Sequence, residues 1–415
     1  MGMTMTEKIL SRSSGSTVRP GDIAFCDVDS IIYLDQAFAT MTEPLPLRMD
    51  HPERVSVILD HAIPAPTVTD ANGQRRARDF ASQFDLRSFV DVGRDSGIVH
   101  QVVLEHALVL PGGIIACSDS HTCAAGALNA AGRGLGRLEM TQVLCTGRTW
   151  YEVAPTVRYD LTGALASGVY GKDVFLAFAG RYGDHTNKNV EFGGPGVATL
   201  AMDDRATIAT MCAEVGAEFA LFPFDDVTAA HLDAIGAERG QPADPDPDAE
   251  YAAIRELDLG ALVPMVALPE YVPGNTGPAT DVTRRIDQAF IGSCANGKLS
   301  DLRVAAEIVR GRRVAPGVRL VVTPASQHVY REAVREGLVS DLTEAGAIVT
   351  NSTCGACWGA HLGVLGDGEV CITSSTRNFK GRMGSAEAQI YLGSSATVAA
   401  SAVRGFITDP RELLS

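Results

Sequence analysis

The sequence predicts an α/β protein with largely parallel sheets, and three observations carry that reading. Short apolar or β-branched runs alternate with segments of helical periodicity, most legibly over the last third of the chain. At 415 residues the chain is long enough for two or three domains, each with its own core. Its composition, 46% hydrophobic and 20% charged, is that of a folded soluble protein.

Taken in order, residues 114–118 read as a strand following the turn Pro111-Gly112-Gly113. The Ala/Gly-rich stretch 124–136 reads as a tightly packed helix start and loop. Residues 173–179 are apolar and helix-like, and 207–217 form a small-residue run. Gln241-Pro-Ala-Asp-Pro-Asp-Pro-Asp is a solvated acidic loop, and 269–283 is a second Pro/Gly/Thr-rich connection. These breaks suggest three α/β units, 1–155, 156–285 and 286–415.

In the last unit, 288–292, 318–323, 347–350 and 370–373 read as strands. Ser300 is the expected N-cap of a helix with Leu302, Ala305, Ile308 and Val309 on one face. Residues 327–336 form a helix with Gly337 just past its end. No repeat of 20–50 residues is visible.

A net charge of −15 and a pI near 5.0 argue against nucleic acid or an anionic membrane as partner, since both require clustered Lys/Arg. A small anionic substrate remains compatible, because a few arginines can dominate one pocket. The opening MGMTMTEKIL lacks a secretory apolar region, and no apolar stretch is long enough to span a bilayer. Gly2 and Thr6 match the formal myristoylation pattern, without a polybasic or second acyl signal. Met1, Met3 and Met5 leave the start open. Nine cysteines, an odd count, argue against a disulfide framework and for a cytoplasmic location. Cys26, Cys117, Cys123, Cys145, Cys212 and Cys371 have the surroundings of buried small hydrophobes.

Four clusters each follow an expected strand. Asp119-Ser120-His121 follows 114–118, and Cys294 follows 288–292. Cys354-Gly-Ala-Cys357 follows 347–350, and Arg377-Asn-Phe-Lys-Gly-Arg382 follows 370–373. Ligands of open α/β sheets bind at the carboxyl ends of strands, so the four clusters point to one active site. Three readings of the cysteines stay open on residues alone. One is a closed zinc set of Cys294, Cys354, Cys357 and His361. Another is a redox pair, Cys354 and Cys357. The third is a cubane cluster with three thiolate ligands and one iron free to act as a Lewis acid. Only the third accounts for Arg377 and Arg382, fixed forks suited to a polycarboxylate.

The motifs Val-Thr-Asn-Ser-Thr-Cys354-Gly-Ala-Cys357-Trp-Gly-Ala-His and Ser-Ser-Thr-Arg377-Asn-Phe-Lys-Gly-Arg382-Met-Gly resemble the aconitase superfamily. The likeness is closer to the branch of 3-isopropylmalate dehydratase large subunits and homoaconitases, and it spans nearly the whole chain. The resemblance implies a three-domain α/β/α arrangement without the swivelling fourth domain. It implies a [4Fe–4S] cluster on Cys294, Cys354 and Cys357 with one iron not ligated by protein. It implies that Arg377, Arg382 and Ser120 bind substrate, and that Asp60, His61, His100, Asp119, His121 and Glu191 serve catalysis. His51, His106, His231 and His328 are left as structural.

By the same resemblance, the chain is a hydro-lyase subunit acting on a hydroxy di- or tricarboxylate. Its partner would be a small subunit carrying the swivelling domain with a catalytic Ser and Arg, because Gly393-Ser-Ser-Ala lacks the arginine of that loop. Three positions depart from the family pattern. Thr376 replaces an Asn before Arg377, Leu34 replaces a polar residue near substrate, and Ala295 replaces a Thr after Cys294.

Overall fold

The computed structural model describes residues 2–40 and 45–414. Three larger sheets and one two-stranded antiparallel ribbon, Ile23–Asp27 with Arg148–Glu152, organise them. The first runs in the order Ser88–Val90, Val55–Ile58, Ser30–Leu34, Ile114–Cys117, Ala131–Gly134, with every pairing parallel. The second, also parallel, comprises Ala220–Leu221, Asn189–Gly193, Thr156–Thr162 and Ala253–Asp258.

The third has seven strands. Five are parallel: Gln389–Leu392, Val370–Thr373, Gln288–Ile291, Arg319–Val322 and Ile348–Val349. Antiparallel Met265–Ala267 and Thr276–Pro278 close one side. Central strands such as Ile114–Cys117 and Val370–Thr373 are buried on both faces, as helix-covered parallel strands must be, which explains their unbroken apolar sequences.

Chain order reverses between Ser30–Leu34 and Ile114–Cys117 in the first sheet, and between Gln288–Ile291 and Val370–Thr373 in the third. These are topological switch points, where loops splay apart and leave a crevice.

Four expectations are corrected. Ser300 does not cap its helix. Leu299–Val309 starts after Lys298, the Asp301 side chain accepts from the Lys298 N–H, and Ser300 donates to Asp203 instead. The stretch 124–136 is a 3₁₀ helix, Thr122–Leu128, followed by the edge strand Ala131–Gly134. Its small residues serve close approach, since a Cβ on Gly126 would overlap the Ala220 carbonyl of the second sheet. Strands Met265–Ala267 and Thr276–Pro278 pair into the third sheet, so that sheet begins ahead of the 269–283 connection rather than after it. Cys145 is half-buried, while the other five background cysteines are buried. Gly2 is buried too, bridges to Ala249 and donates its N–H to Asp248, so the formal acylation position is folded in.

Helix boundaries follow ordinary chemistry. Ser326 caps Gln327–Arg335, and Gly337, at φ +77°, takes the left-handed conformation beyond its end. No helix is long and apolar enough to cross a membrane among the described residues.

Candidate active site

Strand ends of the first and third sheets converge on one narrow cleft. From the first sheet come Asp60 and His61, beyond Val55–Ile58, and Asp119 and His121, beyond Ile114–Cys117. His100 enters from the first turn of the helix Val99–His106. From the third sheet come Cys294, Cys354, Cys357, Trp358, Thr376 and Arg382. The Cys354 N–H donates to the Asp60 carbonyl (3.2 Å), and Thr353 Oγ1 donates to the His61 carbonyl (2.9 Å), which stitches the cysteine loop to the first sheet.

The polar groups form one network. Asp60 Oδ1 lies 2.6 Å from His61 Nδ1, while its Oδ2 accepts from the Val99 N–H at the start of a helix. The other ring nitrogen of His61 stands 3.6 Å from Asp119 Oδ2. Asp119 Oδ1 meets His100 Nε2 at 2.7 Å and accepts from the His121 N–H at 2.8 Å. His121 Nε2 lies 2.8 Å from Glu214 Oε1, which also accepts from Arg377 Nε at 2.8 Å. Arg377 donates to Ser120 Oγ as well.

Burial alone would raise Asp119, yet His100, His121 and His61 hold its carboxyl well below the usual range. Burial would lower His61, but Asp60, then Cys354 and Asp119, push it well above the ordinary histidine value. His121 is raised by Asp119 and Glu214 against the same burial. Glu214 is lowered by His121 and Arg377, again against burial. These shifts favour anionic Asp119 and Glu214 beside protonated His61 and His121, an arrangement able to hand a proton to a leaving oxygen.

Every residue expected here except Glu191 belongs to this assembly. Glu191 is buried in the strand Asn189–Gly193 and accepts from the Met5 N–H and from the Thr6 N–H and hydroxyl, closing the amino end of the helix Met5–Ser14. The acidic residue beside His121 and Arg377 is Glu214. The run 207–217 reads as packed small residues, and the only sequence signal for Glu214 is one acid among uncharged neighbours.

Asp35, also missed, accepts from the His61 and Ala62 N–H groups and braces the loop from below. Leu34 packs in a core cluster with Ile58, Val99 and Val102 and does not line the cleft. Thr376 does line it, and its hydroxyl has no hydrogen-bond partner among the described residues.

The donor set discriminates between the metal readings. His361, needed for a closed zinc set, lies outside the cleft, its Nε2 3.3 Å from the His61 carbonyl. Asp60, His61 and Cys354 place ligand atoms within 4.8 Å of one another, but both Asp60 oxygens are already engaged. Three thiols from two loops face the cleft, with the buried Arg382 Nε and Thr376 hydroxyl unpaired beside them. A thiolate-ligated, hydrogen-bond-accepting cluster fits that set.

Fold and site together define an α/β protein whose strand-end crevice joins thiols, imidazoles, carboxylates and guanidinium groups. The Aconitase family model (aconitate hydratase) matches residues 27–279 and 270–405, and the chain belongs to the aconitase family. The 3-isopropylmalate dehydratase large subunit of Mycolicibacterium smegmatis is 57% identical over 417 positions, covering 100% of this chain and 98% of that one. The protein of the same description from Nautilia profundicola is 41% identical, with 100% of both chains covered. Among solved structures, aconitase X of Thermococcus kodakaraensis aligns over 85% of this chain and 84% of that one, at 12% identity and a TM-score of 0.47.

Proposed function

We propose that this chain is the large subunit of a hydro-lyase that dehydrates and rehydrates a 2-hydroxy di- or tricarboxylate, with 3-isopropylmalate the first substrate to test. One observation carries the reading: three cysteines, Arg382, Asp60, His61, His100, Asp119 and His121 line one crevice, and Glu214 ties Arg377 to it through His121. End-to-end similarity to 3-isopropylmalate dehydratase large subunits supports it.

Cys294, Cys354 and Cys357 would hold a [4Fe–4S] cluster, which when bound supplies a Lewis acid for a substrate oxygen. Arg377 and Arg382 present permanent positive charge to substrate carboxylates, and Ser120 steadies the Arg377 fork. Asp60 fixes the His61 ring, and Asp119 orients His100 and His121. His121, held protonated between Asp119 and Glu214, donates the proton that the departing hydroxyl takes up. Abstraction of the carbon-bound proton falls to a serine on a small partner subunit, as does part of the pocket that reads the substrate's side chain.

A second reading, a dehydratase for another substituted malate or homocitrate, is favoured by Thr376, whose unpaired hydroxyl sits in the cleft where the family carries Asn. The experiment is anaerobic co-expression with a small-subunit gene and a panel of hydroxy acids followed by alkene absorbance. Turnover of 3-isopropylmalate above the other acids supports the first reading. Preference for homocitrate or another malate selects the second, and no turnover of any hydroxy acid overturns both.

A further inference from the structure

Lys172 lies in the helix Gly171–Tyr182 and is fully buried. A buried ammonium normally sits against a carboxylate, because an unpaired charge in a low-dielectric interior is costly. Among the described residues no carboxylate lies within ion-pairing distance of it. Its Nζ reaches only the Met211 sulfur at 3.2 Å and the Ser375 carbonyl at 2.9 Å. Burial pulls it down to about 8, against Asp301 and the sulfurs of Cys294 and Cys357, while Lys298 adds to the lowering.

Ser375 and Thr376 share one peptide group, and that group faces two ways. Its carbonyl accepts from Lys172. Its N–H belongs to Thr376, which lines the cleft together with Cys357, and a backbone hydrogen bond from Thr376 is among the influences that lower the Cys357 thiol. A cation on the oxygen side of an amide polarises it and strengthens the hydrogen bond made by its N–H. Hydrogen bonds to ligating sulfurs, and charge buried beside them, set the potential of an iron–sulfur centre, because both favour the more negative, reduced state.

We propose that Lys172 is a positioning residue for the cysteine cradle, its charge relayed through the Ser375–Thr376 peptide to Cys357, and that it raises the reduction potential of the cluster held there. The inference rests on the iron–sulfur reading above. A thiolate-ligated group in the cradle would add to Asp301 the negative charge that a buried lysine needs.

The test compares reconstituted wild-type chain with Lys172→Met, which keeps the length and removes the charge, and Lys172→Arg, which keeps it. Each is titrated with dithionite and redox dyes while cluster absorbance and the electron-spin signal are followed. Lys172→Met shifts the midpoint to lower potential, and Lys172→Arg stays nearer wild type. A Lys172→Met cluster with the wild-type midpoint overturns the proposal, as do equal shifts in the two variants, which indicate packing instead of charge. Should Lys172→Met fail to load a cluster, Lys172→Gln decides: a lowered midpoint supports the relay and an unchanged one overturns it. Wild-type chain lacking acid-labile sulfide defeats the iron–sulfur reading first and takes this inference with it.

Discussion

Glu214 Oε1 lies 2.8 Å from His121 Nε2, joining the second sheet's helical layer to the histidines of the first. The same oxygen holds Arg377, so one buried carboxylate fixes a proton donor and a carboxylate-binding fork together. Replacing Glu214 with Gln keeps the shape and removes the charge. The expected result is a fall in kcat of about 10²-fold or more, the usual scale for disabling a positioned acid or base. Cluster absorbance should remain, and spectra with steady-state kinetics on the assembled enzyme check both.

Glu191 makes the opposite prediction. Its carboxylate serves three donors at the start of the helix Met5–Ser14 and stands apart from the cleft. Glu191→Ala should cost about 2 kcal/mol of stability, the scale for losing hydrogen bonds to a charged group. The kcat of the folded enzyme should stay at the wild-type level. Thermal melts and kinetics on the same preparation separate the two effects.

Arg205 is fully buried and forked by Asp225 at 2.6 and 2.7 Å, a pair that ties the helix Met202–Met211 to the helix Asp226–Ala234. Asp225→Asn leaves a buried guanidinium without its counter-charge, and the expected loss is about 3 kcal/mol. Burial raises Asp225, but Arg205 prevails and lowers it. A carboxyl lowered on folding stabilises above its unfolded value of about 3.9 and loses that contribution as pH falls through the folded value. The gap between wild type and variant should therefore be full at neutral pH and shrink below about pH 4, which melts across a pH series will show.

Much of this could be read from residues. Buried parallel strands need unbroken apolar runs, so Val370–Thr373 was visible at its true bounds, and polar residues clustered after such runs marked the crevice. What escaped depended on long-range packing. Glu191 and Glu214 both lie in small or apolar surroundings, and only the fold shows which faces the histidines. Leu34 looked like a lost polar contact near substrate, yet strand register turns it into the core. Ser300 has good capping chemistry, but the helix begins two residues earlier, with Lys298 at the cap position and the Asp301 carboxylate closing the end.

The central claim is that Cys294, Cys354 and Cys357 hold an iron–sulfur cluster in this crevice. Iron and acid-labile sulfide should be measured on anaerobically prepared wild-type chain and on Cys354→Ser. The expected result is iron and sulfide in equal amounts in the wild type, with cluster absorbance and dehydratase activity, and loss of all of these in Cys354→Ser. Zinc without sulfide in the wild type, or undiminished cluster and activity in Cys354→Ser, would contradict it.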